Sequence, residues 1–331
     1  MALGFVVIGR NEGERLRLCL RSVASHADPA VYVDSGSTDG SVELARSFGA
    51  VAIELDASAP YTAARGRNAG LGALRQMAPE TEFVQFVDGD CELVEGWIAT
   101  AQAFLEAHPD VAAVCGRRRE RYPDRSIYNW LCDIEWDTPV GEAVTCGGDA
   151  MMRADALLQI GDFRSDVMAG EEPELCMRLR RDGWKVWRLD AEMTLHDARL
   201  MQFGQWWRRM KRGGHAYAEV YSLHRNSPDR FGRKQTVRAV FWAAIVPLVV
   251  IGGAFVHPLA LSAAVLYPVQ IVRVAVRQGA AHRSAWAYSL YMMLGKFAEF
   301  VGAVQFLRRR WHGKRPGLHA SAAHGRKRQA T

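Results

Sequence analysis

Two carboxylates one residue apart, Asp88 and Asp90, follow the run Phe83-Val84-Gln85-Phe86-Val87, which is apolar except for Gln85. Carboxylates are hard oxygen donors. A pair at the end of a strand suits a divalent cation, and a cation there can neutralise a diphosphate. Gly89 between them lets the chain turn sharply and lets a ligand approach the backbone. Taken alone, the same triplet also makes an ordinary turn. Other groups of the same kind recur along the chain. Asn11 and Glu12 follow an apolar run, and Asp34 opens the polar stretch Asp34-Ser35-Gly36-Ser37-Thr38-Asp39-Gly40. Asp34 can accept bonds from a base or ribose, or can make an Asx-type turn with Thr38 or Asp39 capping the next helix. Glu171-Glu172-Pro173-Glu174 fits an acidic helix start, a position that favours negative charge.

These residues need a frame. Leu3 to Ile8 reads as a strand, Glu14 to Ser25 carries Leu16, Leu20 and Val23 at helical spacing, and Ala30 to Val33 is a second strand. Ser41 to Phe48, Val51 to Leu55, Ala63 to Met77 and Phe83 to Val87 continue the alternation of helix and strand. Such alternation predicts an α/β domain, a parallel sheet with helices on both faces. Its ligands sit beyond the carboxyl ends of the strands. Asn11, Asp34 and Asp88 each lie just past a strand end, so they should converge on one crevice. Trp97 to His108 is a further helix, and the mixed region through about Leu223 should supply the other wall.

The chain has 331 residues, 49% of them hydrophobic, enough for one large catalytic domain plus an appendage. The net charge is +6, with basic residues concentrated in Arg117 to Arg125, Arg208 to Arg238 and Arg308 to Arg328. No nucleic-acid module pattern accompanies them. Basic clusters beside apolar segments point instead to the cytoplasmic face of a membrane. The six cysteines form no CxxC pair and no zinc-like spacing, and are read as reduced thiols in the cytosol. The chain enters a strand at Leu3 with no charged and apolar leader, so no signal peptide is expected.

Composition breaks near Arg238. Ala239 to Val256 holds 18 uncharged residues, roughly 27 Å of helix and just enough for a bilayer core. Leu259 to Val272 is again uncharged, and the two fit a hairpin turning at His257-Pro258. Arg230, Arg233, Lys234 and Arg238 precede it, and Arg273, Arg277 and Arg283 follow it. The positive-inside rule then puts both ends, and the N-terminal domain, in the cytoplasm. Ala285 to Leu307 reads as a third embedded or interfacial helix carrying Lys296 and Glu299. Because both main segments are near the lower length limit, a soluble helical hairpin remains the alternative. The expected division is 1–225, a catalytic domain; 226–312, membrane helices; and 313–331, a basic disordered tail.

Strand-Asn11-Glu12, then Val33-Asp34-Ser35-Gly36-Ser37-Thr38-Asp39-Gly40, then Asp88-Gly89-Asp90 together resemble the inverting family 2 glycosyltransferases of the GT-A fold. The resemblance covers about residues 3 to 220. It implies a Rossmann-like mixed sheet and a nucleotide-diphospho-sugar donor. Asp34 would meet the base, and Asp88 would lie by the ribose and the metal. Asp90 would ligate Mn2+ or Mg2+ on the diphosphate. Asn11 and Glu12 belong to the same donor site. Arg65-Gly66-Arg67-Asn68-Ala69-Gly70 resembles a segment of that family that would bring Arg67 and Asn68 to the nucleotide. Thr145-Cys146-Gly147-Gly148-Asp149 resembles a glycine pair near donor and acceptor, which assigns Gly148 and Asp149 to the site. Thr194-Leu195-His196 would supply His196 as a third metal ligand.

Gly170-Glu171-Glu172-Pro173-Glu174-Leu175 is similar to the block that carries the catalytic base, and that position is Glu172 where the family has Asp. The two side chains titrate alike, and one methylene is a small displacement. The resemblance therefore implies inverting sugar transfer with Glu172 taking the acceptor's proton. Gln205-Trp206-Trp207-Arg208-Arg209 has the wrong order for the box of processive synthases, so processivity is not inferred. With the membrane segments, the expected acceptor is lipid-linked: a polyprenyl-diphosphate glycan, a polyprenyl phosphate or a glycolipid. The expected place is the inner (cytoplasmic) membrane. Two rivals stand beside this reading. A sugar nucleotidyltransferase would need a longer phosphate loop than Gly9-Arg10-Asn11-Glu12-Gly13. A membrane-anchored binding or scaffold protein would explain the Glu at 172.

Overall fold

The computed structural model describes residues 2–26 and 28–312, so the tail expected over 313–331 lies outside the described residues. The chain divides into two compact units, one ending at Arg199 and one beginning at Leu200.

The first unit is built on one mixed sheet. Its N-terminal half alternates as the sequence predicts: β1 (Leu3–Gly9), α1 (Glu14–Ala24), β2 (Ala30–Asp34), α2 (Ser41–Ser47), β3 (Val51–Glu54), α3 (Ala63–Met77) and β4 (Phe83–Asp88). The rest comprises β5 (Cys91–Leu93), α4 (Trp97–Ala107), β6 (Val111–Glu120), α5 (Ile127–Glu135), β7 (Gly141–Glu142), β8 (Ala150–Arg153), α6 (Ala154–Ile160), α7 (Glu171–Arg181) and β9 (Lys185–His196). The strand order is β3-β2-β1-β4-β8-β6-β9-β5, with β7 also on β9.

Strands β1 to β4 are parallel, and β1 is paired on both edges. That is why Phe5, Val6 and Val7 are fully buried, with Phe83, Phe86 and Val87 beside them. Each of these phenylalanines contributes roughly 1.5–3 kcal/mol by burial. The register sets the site: Gly9 lies opposite Asp34, and Ile8 lies opposite Asp88. The loops carrying Asn11, Asp34 and Asp88 therefore leave the sheet along one edge. The other half is not purely parallel. β8 runs antiparallel to β4 and β6, β5 runs antiparallel to β9, and β6 runs parallel to β9 through several register shifts. In the β5–β9 ladder Cys91 lies opposite His196, which brings that histidine beside the Asp88–Asp90 turn.

The second unit is helical: α8 (Phe203–Leu223), α9 (Arg233–Val240), a π-turn into α10 (Val246–Ala254), a 3₁₀ stretch Pro258–Val265 leading into α11 (Leu266–Arg277), and α12 (Arg283–Trp311). Among the described residues three helical stretches are long and apolar enough to cross a membrane: Arg233–Ala254, Pro258–Arg277 and Arg283–Trp311. Leu248, Ile251 and Leu259 in the first two, and Phe255 and Val256 between them, are open to the surroundings. The break between those two falls at Phe255–His257, next to the expected turn.

The unit boundary falls at Arg199, ahead of the expected limit at 225, and within the second unit α8 packs along α12. Two glycines allow it. A β-carbon at Gly214 would strike the Glu299 backbone, and one at Gly302 would strike the carbonyl of Lys211. Trp206 also meets Tyr291 edge-on, and Lys296 Nζ donates to both oxygens of Glu299 at 2.7 Å.

Candidate functional site

The first two loops are tied to each other. Asn11, in the left-handed region at φ 55°, accepts from the Thr38 amide at 2.8 Å, and its own N–H donates to Ser37 Oγ at 2.9 Å. Asp34 is 1% exposed. One of its oxygens accepts from Tyr32 Oη at 2.9 Å; the other accepts from the amides of Gly36 and Ser37 at 2.8 and 2.7 Å. The carboxylate thus builds the turn that presents Gly36 and Ser37, in line with the Asx reading of this stretch. Glu12 is ion-paired with Arg15. Burial and the nearby Asp90 raise its carboxyl above the ordinary value.

At the end of β4 the two carboxylates have different surroundings. Asp88 accepts from Arg67 Nη2 at 2.7 Å, and Arg118 stands 3.6 Å from its other oxygen. Burial raises its carboxyl, and Arg67 opposes that rise. Asp90 Oδ2 lies 3.1 Å from His196 Nε2 and 3.9 Å from Arg15. Burial alone would raise the Asp90 carboxyl, but His196 and then Arg15 hold it well below the usual range. His196 is braced edge-on by Trp136 at 4.6 Å, and its Nδ1 has no hydrogen-bond partner, with Glu120 Oε2 3.9 Å away. A carboxylate and an imidazole in contact, with a second carboxylate behind the ring, fit Mn2+ or Mg2+ with phosphate and water completing the shell. A pocket of about 240 Å³ opens beside Asp90, lined in part by Arg15, Glu92, Arg121 and Tyr122.

The base side is joined to this turn through short links. Arg67, 3% exposed in α3, bridges Asp88 and Glu171, its Nη1 donating to Glu171 at 2.6 Å. Glu172, in the first turn of α7, accepts from the amides of Cys146 and Gly147, both at 2.8 Å. Burial raises its carboxyl, the Gly147 N–H pulls it part of the way back, and Glu171 pushes it up again. Gly148 completes the link. A β-carbon there would sit 2.6 Å from Asp88 Oδ2 and 2.7 Å from Arg67 Nη2, so only glycine fits unless those groups move. One loop, Cys146 to Gly148, therefore touches both the proposed proton acceptor and the Asp88 carboxylate.

The structure brings Asp88, Asp90, His196, Gly148 and Glu172 together. Asp149 sits beneath Asp88. That side chain is fully buried, accepting from the Asp88 amide at 2.8 Å and from Thr194 Oγ1 at 3.0 Å, with Arg118 at 2.8 Å. Asn68 faces a neighbouring loop. Its amide is spent on the loop at Phe163 and Ser165, through bonds of 2.7, 3.1 and 3.1 Å. Sequence reasoning missed Arg118 and Glu120. They lie inside the Arg117–Arg125 cluster, which looked like a charged surface; strand alternation could have shown that residues 118 and 120 share a face.

Residues 5–157 match the sequence model of Glycosyl transferase family 2. Glycosyltransferase AglE of Haloferax volcanii is 25% identical over 251 residues, covering 71% of this chain and 77% of AglE. Among solved structures, the mannosyltransferase PcManGT from Pyrobaculum calidifontis, in complex with GDP-Man and Mn2+, superposes with a TM-score of 0.60 at 18% identity, over 92% of this chain and 86% of that one. S. aureus TarS 1-349 gives a TM-score of 0.52 at 14% identity, over 95% of this chain and 92% of that one. This chain spans 43% of the longer S. aureus TarS structure.

Proposed function

We propose, on the premise that this chain carries a family 2 glycosyltransferase domain of the GT-A fold, that it transfers a sugar with inversion from a nucleotide-diphospho-sugar to a lipid-linked hydroxyl or phosphate at the cytoplasmic face of a membrane. The observation that carries this reading is the joined site. Asp90 and His196 lie 3.1 Å apart, and the Cys146–Gly148 loop that packs on Asp88 also donates to Glu172 at 2.8 Å.

Asp90 and His196 would hold Mn2+ or Mg2+, with Asp88 toward the ribose. The ion, when bound, stabilises the negative charge that develops on the departing diphosphate. Asn11, Glu12 and the turn built by Asp34 would frame the nucleotide, while Arg67 and Asn68 hold the walls. Glu172 accepts the proton of the acceptor hydroxyl as its oxygen attacks the anomeric carbon. The new carbon–oxygen bond forms on the face opposite the breaking bond to diphosphate, so configuration inverts. A phosphate acceptor is already ionised and asks only for orientation from Glu172.

The raised Glu172 carboxyl supports the proton-acceptor role, since a base closer to neutral pH holds the proton better during the reaction. Arg233–Ala254, Pro258–Arg277 and Arg283–Trp311 support the membrane location, and their flanking arginines support the orientation. The test is a transfer assay with detergent-purified protein, manganese, a panel of nucleotide-diphospho-sugars and polyprenyl phosphate in vesicles. The expected products are a glycolipid of inverted configuration and free nucleoside diphosphate. Release of pyrophosphate, or donor binding with no transfer to any acceptor, overturns the reading.

A further inference from the structure

A second cluster of metal-binding groups lies on the base side, apart from Asp90 and His196. Cys146 and Cys176 are both buried, with their Sγ atoms 3.4 Å apart. Cys176 Sγ is 3.8 Å from Glu172 Oε1. One ligand atom from each of Cys146, Glu172 and Cys176 lies within 4.8 Å of the others. A tetrahedral ion with bonds of about 2.3 Å to sulfur and about 2.0–2.2 Å to oxygen keeps its ligands roughly 3.5–3.8 Å apart. The observed spacings are close to that, so small side-chain shifts would suffice. The scaffold explains the convergence. Glu172 and Cys176 stand one helical turn apart on the same face of α7, and Cys146 comes from the loop whose amides already hold Glu172.

We propose that Cys146, Cys176 and Glu172 form a binding site for a thiophilic divalent ion of the zinc class, and that filling it takes the proton acceptor out of the reaction. Two sulfurs and one carboxylate select such an ion over Mn2+ or Mg2+, which prefer oxygen donors such as the Asp90 carboxylate, phosphate and water. Binding converts Zn2+, two thiols and one carboxylate into a zinc bis-thiolate carboxylate and releases two protons, with nothing oxidised or reduced. Glu172 is only partly buried and gives the ion its way in. The two metal sites of one cleft would then have opposite effects, one supporting transfer and one stopping it. The inhibitory half of the proposal rests on Glu172 being the proton acceptor; the binding half does not.

The probe is cadmium, then zinc, added to the full chain in detergent with excess manganese filling the Asp90 side. The wild type should take up about one cadmium per chain with a thiolate-to-metal absorption band. Zinc-edge X-ray absorption should show two sulfur neighbours at about 2.3 Å. Cys176→Ser should lose the band and keep its transfer activity. Its zinc inhibition should weaken by at least the roughly 10–100-fold that loss of an outer-shell partner costs. Zinc surrounded only by oxygen and nitrogen, or an unchanged band in Cys176→Ser, overturns the site. The X-ray measurement uses the wild type and so stands even if the variant does not fold. Two sulfur neighbours with transfer unaffected by zinc would leave the site in place and remove Glu172 from the role of proton acceptor.

Discussion

The Asp90 end and the Glu172 end of the cleft use the same chemical group in opposite electrical settings. Both carboxylates are crowded by protein. Asp90 faces His196 and Arg15, which more than cancel the effect of burial and keep it ionised. Glu172 faces two backbone amides and the like charge of Glu171, and burial prevails. A metal ligand must stay charged whatever approaches, whereas a proton acceptor must be able to carry a proton for part of the cycle. The fold sets an imidazole and a guanidinium beside Asp90, and two peptide N–H groups and a second carboxylate beside Glu172.

The contrast can be broken most severely at the base. Glu172→Gln should lower the transfer rate about 10²–10⁴-fold while donor affinity, read by calorimetry, stays near the wild-type value. Near-normal turnover would assign the proton to another group. Asp90→Asn is the reciprocal test. It should abolish the gain in donor affinity that manganese confers, a loss of roughly 100-fold, and leave metal-free binding alone. Equal weakening with and without manganese would mean that Asp90 contacts the donor directly.

Gly148→Ala strikes the link between the two ends. Its new methyl must displace Asp88 or Arg67, and kcat/KM should fall by about 10²-fold if their positions matter. An unchanged value would show that the Asp88–Arg67 pair can shift without cost. Glu120→Gln acts through His196. It should weaken manganese binding about tenfold while circular dichroism is preserved, and a titration with no shift would detach Glu120 from the metal side.

The mildest test is pH. In the proposed role Glu172 works deprotonated, and its carboxyl is raised, so activity should fall on the acid side at a pH above that of an ordinary glutamate. Glu172→Asp should keep such a limb and Glu172→Gln should lack it. A wild-type limb at the ordinary carboxylate value would place Glu172 in a more watery setting than the structure gives it.

The parallel half was legible in the sequence because each strand is a compact apolar run with a turn of small polar residues after it. The end of each such run then marks a point on the same sheet edge, which is why Asp88 and Asp90 stood out. The mixed half was not legible in that way. The roles of Arg118 and Glu120 depend on β6 pairing with β9 through bulges, and no local pattern announces that register. Nor did any local pattern show that Asp149, after two glycines, is buried and accepts from the Asp88 amide. The unit boundary at Arg199 was hidden for a related reason. It rests on α8 and α12, far apart in sequence, approaching closely at Gly214 against Glu299 and at Gly302 against Lys211.

Arg67 has a consequence for how the protein is made. Its contact with Glu171 spans 104 residues, and the same guanidinium neutralises Asp88, only 21 residues away. At typical synthesis speeds Glu171 leaves the ribosome roughly 5–20 s after Arg67. During that interval Arg67 and Asp88 can find each other while α7 does not yet exist. The nascent N-terminal half therefore emerges with its Arg67–Asp88 pair available and Glu171 and Glu172 still missing. The Arg67–Glu171 contact must wait for that later segment, so a chain cut short before α7 lacks both it and Glu172.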